Sequence, residues 1–201
     1  MSSIDLGNIT IGLRGGEPVY TVDGAEYSAT DLAEFNLRTQ FAAVGFGGAL
    51  QLEEQIDEFM KKMQKNSELT SVLNQVLEKM SGLRPDLPTD TAELNGIDVQ
   101  DADGKSIPLG DFLNKHSDEL GLSQEDIEAY FQNGTPLDQK KFDQAMDKIK
   151  GALDTLNNIS HEDAIKLQSY TNKLNQCYEM MSNFFAKMSK NLEGIMANIR
   201  G

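Results

Sequence analysis

Tryptophan is absent, cysteine occurs once, histidine twice and proline five times along 201 residues. Each scarcity removes possibilities. A lone thiol, Cys177, closes no disulfide within the chain, so folding is expected not to depend on oxidation. Cations are also short: 18 Lys and Arg stand against 32 Asp and Glu, for a net charge of -14. Nucleic-acid backbones and anionic membranes are bound by clustered Lys and Arg, so no nucleic-acid partner is expected. Long apolar runs are missing as well. The best, FAAVGFGGAL at 41–50, is about half of the roughly 20 residues that span a bilayer. MSSIDLGNITIGLRGG at the start has no basic opening and no continuous apolar core, so a Sec-type export signal is not expected.

Chemistry is equally thin. His161 and Cys177 lie 16 residues apart on one predicted helix, roughly 24 Å by helical rise, too far for a nucleophile and its base. HEDAI at 161 carries Ile165 where the second histidine of H-E-x-x-H belongs, and GLRGG and GFGG lack the Gly-Lys-Ser/Thr ending of a phosphate cradle. Those glycines are expected to serve turns or close backbone contact. The loop around DADG puts Asp101 and Asp103 at two calcium-ligand positions when Gly104 takes the sixth place of an EF-hand loop. Val99 and Gly110 then occupy the first and twelfth, so the shell is incomplete. Asp103-Gly104 between two β-prone runs predicts a hairpin instead. No enzyme, cofactor or metal site is expected.

What the sequence does hold is helical periodicity. Residues 1–28, with β-prone NITIGL and PVYTV and an Asp23-Gly24 turn, predict a flexible or β-hairpin arm. Ser28 to Asp31 has the form of an N-terminal cap, starting a helix near Ala29 that fills residues 29–82. Gly45, Gly47 and Gly48 each cost about 1 kcal/mol in a helix, leaving a start near 50 as the alternative. From Leu52 the seam runs Ile56, Phe59, Met63, Leu73, Leu77 and Met80, with Leu69 and Val76 beside it, until Gly82 and two prolines stop it. Residues 83–160 predict a small α+β insert. Its short helices begin near Asp111, after a Ser123 cap and at Thr135-Pro136, and the last is expected to end at Asn157-Asn158.

Ser160 to Asp163 is read as the start of a separate C-terminal helix over 161–201. Leu167, Leu174, Met181, Met188 and Ile195 recur every seven residues, with Tyr170, Cys177 and Phe184 between them. Four heptads specify a coiled-coil seam that cannot be buried alone, and the first helix is the natural antiparallel partner. The fold class expected is therefore mainly α: a long antiparallel coiled-coil pair from both ends of the chain around an α+β insert. Met180, Phe185, Leu192, Met196 and Ile199 stand beside or beyond this seam and are the candidate assembly residues. Five cations and four anions give residues 161–201 a net charge of +1, leaving -15 on residues 1–160, so this helix is the least repelled surface for self-association.

The terminal run LQSYTNKLNQCYEMMSNFFAKMSKNLEGIMANI, the insert between two long helices, the single Cys and the Gly-rich apolar segment together resemble the hydrophilic translocators of type III secretion systems. The likeness is to EspA/SseB-type filament subunits, and more distantly to LcrV/IpaD-type needle-tip proteins. That resemblance implies a secreted subunit that forms a helical homo-oligomer on the secretion needle and conducts effectors to the host-membrane pore. It also implies a cognate secretion chaperone in the cytoplasm before export, and hydrophobic translocator proteins as partners. A cytoplasmic coiled-coil adaptor or secretion chaperone is the alternative.

Overall fold

The structure, a computed structural model, describes residues 3–5, 9–22, 24–28, 37–87, 89–94, 97–100, 104–132 and 134–200. The protein is mainly α, with two long helices packed against each other and small strand elements. It divides into two compact units, Met1–Met60 with Ile165–Gly201, and Lys61–Ala164.

In the first unit, β1 (Ser3–Asp5), β2 (Ile9–Arg14), β3 (Glu17–Val22) and β4 (Ala25–Tyr27) form an antiparallel sheet in chain order. The arm is thus a four-stranded sheet, larger than the hairpin expected from sequence. Its central turn is set by Gly15 and Gly16, both at positive φ, which the two-residue connection from Arg14 to Glu17 requires. Alternation sends Ile11, Tyr20 and Val22 to one face, where they are buried with Ala43 and Leu50 of α1 (Leu37–Ser81). Burial also raises the Tyr20 phenol above its ordinary pKa.

α1 runs unbroken through all three glycines. Two of them are sites of close approach: a Cβ at Gly47 would stand 2.5 Å from Tyr20 Oη, and one at Gly45 2.6 Å from Met181 Sδ. Packing against sheet and helix therefore offsets their low helix propensity. Of the cap expected from Ser28 to Asp31, all but Ser28 lies outside the described residues, as do Asp23 of the first turn and Asp101 and Asp103 of the second.

In the second unit, β5 (Thr91–Ala92) pairs with β8 (Leu137–Asp138), and β6 (Asp98–Gln100) with β7 (Ser106–Pro108). The β6–β7 pairing is the one the sequence suggested, with Gly104 at φ +74°. Three short helices follow: α2 (Leu109–Lys115), α3 (Ser117–Leu120) and α4 (Gln124–Tyr130). Ser123 caps α4 by accepting the Asp126 N–H at 3.1 Å, as its sequence implied. Leu73, Val76, Phe112, Ile127, Phe142 and Leu156 belong to one buried cluster that joins α1, the insert and α5 (Gln139–Arg200).

The boundaries of α5 correct the sequence reading twice. Thr135-Pro136 does not begin it, because Leu137 and Asp138 are extended and paired with β5. Asp138 Oδ1 instead accepts the Lys141 N–H at 2.8 Å. Nor does Asn157-Asn158 end it. Asn costs only about half a kcal/mol in a helix, and both residues are exposed beside buried Leu156. Ser160 to Asp163 therefore lies inside a helix of 62 residues and caps nothing. Asp163 is 1% exposed, with its Oδ2 3.0 Å from Lys62 Nζ.

Candidate assembly surface

Within the first unit, α1 and α5 run antiparallel through a series of side-chain contacts. Phe59 meets Tyr170 with ring centroids 5.4 Å apart, and Phe41 stacks on Phe184 at 3.7 Å. Between them the Cys177 thiol donates to the Gly45 carbonyl at 3.2 Å. Burial pushes that thiol above its ordinary pKa, which disfavours the reactive thiolate. Tyr178 donates to Glu53 Oε1 at 2.6 Å; this bond, together with burial, pushes the phenol up to about 12. Met181 is the buried centre of the seam at 2% exposure, while Leu167, Leu174, Cys177, Phe184 and Met188 are half-buried.

Ile195 departs from the rest of the predicted seam. It is 55% exposed, so it does not pack on α1 with the other heptad residues. The contacts explain why: Phe184 already lies against Phe41, and the described part of α1 starts at Leu37. Heptads after Met188 have no described partner opposite them.

From Ser189 to Ile199 every residue is exposed. Leu192, Ile195, Met196 and Ile199 stand at 50%, 55%, 53% and 78%, spaced to share one helix face. Met180 is 54% exposed and borders a groove of about 500 Å³ with Phe41, Phe184 and Lys187. Phe185 differs from the other candidates: it is half-buried and edge-on to Phe184 at 5.7 Å. Met60, one of the methionines that sequence offers as adaptable apolar surface, is 57% exposed, and Ile165, which sequence reasoning missed, is exposed to the same degree. The only signal for Ile165 is position, since it does not fall on the seam.

Covering the exposed parts of four such side chains is worth about 1 kcal/mol each. His161 is exposed on α5 and Cys177 is engaged with Gly45. Among the described residues no group of three or more His, Cys, Asp or Glu is placed to hold a metal ion, and no helix is long and apolar enough to cross a membrane. Two long helices packed together, one ending in an exposed apolar stripe, form a coiled-coil-like helical hairpin. Compared with protein-family models, curated proteins and solved structures, the chain matches none.

Proposed function

We propose that this chain is a self-assembling structural subunit of a type III secretion system. It forms an extracellular filament or needle extension that conducts effectors to the host-membrane translocon. The observation that carries this reading is the exposed stripe of Leu192, Ile195, Met196 and Ile199 on a helix whose preceding heptads are already paired. An apolar face left over after the intramolecular seam is satisfied invites a second copy, and a head-to-tail contact whose rotation does not close generates a filament. The near-neutral terminal segment lowers the repulsion that a charge of -14 would otherwise impose.

On this reading the partners are further copies of the chain, the secretion needle, the hydrophobic translocators and a cognate chaperone. The chaperone covers the stripe in the cytoplasm before export. Negative-stain electron microscopy over a concentration series tests the proposal, with uniform filaments expected. The double substitution Leu192→Asp with Ile199→Asp is expected to abolish them while leaving the helical circular-dichroism spectrum within a few per cent of native. Unchanged polymers would remove the stripe from the interface.

A second reading, as a needle-tip protein or a cytoplasmic coiled-coil adaptor, draws on the insert. Its short helices and strands share a large buried cluster with α1 and α5, more than a spacer between two assembly helices needs. Compact monomers or closed dimers at every concentration would favour it.

A further inference from the structure

In the unit Lys61–Ala164, a groove of about 370 Å³ runs along α1 with α2 on its opposite side. Its apolar floor is Leu69, Val72 and Phe112; Leu69 and Phe112 are 4% and 2% exposed. Ionisable groups line its sides. His116 is half-buried, with its ring 4.9 Å from Phe112 and its Nδ1 3.0 Å from Glu119 Oε2. The other Glu119 oxygen takes the Lys65 ammonium, and that bond holds the carboxyl below its ordinary pKa. When the imidazole is neutral, a proton on Nδ1 serves the contact with Glu119. Nε2, the ring nitrogen left over, is then an acceptor.

Lys65 and Glu119 cancel each other, which leaves Glu68 as the uncompensated charge of the groove. Its described partner is neutral: the Gln64 amide, at 3.1 Å. The groove therefore combines an apolar floor, the Glu68 carboxylate and an imidazole nitrogen, with the Lys65 ammonium turned to Glu119. From this juxtaposition we propose that it is a binding site for a primary alkylammonium group. The alkyl stem lies on Val72 and Phe112, and the ammonium donates to Glu68 and His116. The same chemistry comes from a free polyamine or from a lysine side chain of a protein partner. The volume lies in the range of small-molecule sites, and the charge selects a cation over a carboxylate.

The chain contains only two histidines, so the imidazole resonances read the site directly, with exposed His161 as an internal reference. The native protein at pH 8 is titrated with n-butylammonium chloride while both imidazoles are followed by NMR. Saturable shifts of His116 alone are expected, with Kd on the order of millimolar. Glu68→Gln, at an exposed position, should weaken binding about tenfold with an unchanged melting temperature, because it removes the charge and keeps the shape. n-Butanol, of equal length and no charge, should shift neither ring. Putrescine and N-acetyl-lysine methylamide compared in the same titration separate the two sources by which binds more tightly. An unmoved His116 at 100 mM probe would overturn the proposal. So would equal binding by Glu68→Gln, or butanol binding as well as the amine.

Discussion

In the unit Lys61–Ala164, α1 places Leu69, Leu73, Val76 and Met80 in a buried cluster where none is more than 4% exposed. In the other unit the last turns of α5 carry Leu192, Ile195, Met196 and Ile199 at nearly the same helical spacing, each at least half exposed. Spacing of three and four thus produces both the most buried and the most exposed apolar stripes among the described residues. What differs is the neighbour: the first stripe is closed by α5 and the insert. Periodicity establishes that a helix has a face to cover and leaves open what covers it.

The sharpest way to break this comparison is to truncate one residue from each stripe's surroundings. Phe142 is fully buried, and Phe142→Ala is expected to cost about 3–5 kcal/mol through lost burial and the cavity left behind. For a chain of this size that is a fall in Tm of roughly 6–20 °C. Ile195→Ala, in the exposed stripe, should stay within about 0.5 kcal/mol in the dilute protein. Equal losses by calorimetry would mean that the α5 end is covered in the monomer.

A second pair probes the glycines of α1. Ala at Gly47 forces its Cβ onto Tyr20 Oη and to 2.9 Å from Pro18 Cβ, so it should destabilise by about 1–3 kcal/mol. A Cβ at Gly48, one residue on, meets nothing within 4 Å, and Gly48→Ala should stabilise by up to about 1 kcal/mol. Opposite signs in urea unfolding are expected. A loss at both positions would show that helix propensity is not what Gly48 sacrifices.

Much of this architecture was legible beforehand because its signals are local. The mainly α class, the antiparallel pairing of the two long helices, the β6–β7 hairpin and the Ser123 cap follow from spacing, turn residues and capping chemistry. The misreadings arose where tertiary contact decides. Asn157-Asn158 read as a stop and Ser160 to Asp163 as a start, yet an Asp that suits a helix N-terminus also suits a buried contact with Lys62. Sequence carries no mark that separates the two. The four-stranded sheet was underestimated because residues 3–5 have little β-propensity of their own and are held by pairing with Thr10 to Gly12. Of the candidate surface, Leu192, Met196 and Ile199 were chosen for lying beyond the seam. The exposure of Ile195 depends on where the described partner helix begins, a fact about α1 rather than about residue 195.

Asn66 tests how far burial alone accounts for the closed stripe. It is 4% exposed, and its Nδ2 has no hydrogen-bond partner. Asn66→Leu removes a desolvated donor and adds apolar contact. It should raise stability by about 1 kcal/mol, read as a higher urea midpoint with unchanged slope. A lower midpoint would mean that the amide is satisfied by bound water within the helix pair.

The smallest effect is confined to alkaline solution and to the unit that carries the bare helix end. Tyr178 donates to Glu53, and its folded-state pKa is raised from 10.0 to about 12. A group whose pKa is raised by folding contributes stability that is fully present below its unfolded value. Here that contribution is complete below pH 10 and is lost as pH rises from 10 towards 12. The informative quantity is the difference from Tyr178→Phe, which carries no titrating hydroxyl. Stability of the native protein should fall more steeply than that of Tyr178→Phe across this interval, and the two curves should run parallel at neutral pH. Glu53→Gln should bring the phenol's own titration, followed by its ultraviolet absorbance, back towards 10. Parallel curves throughout would mean that the Tyr178–Glu53 bond exchanges with water and does not fasten α5 to α1. The seam would then rest on its apolar contacts alone.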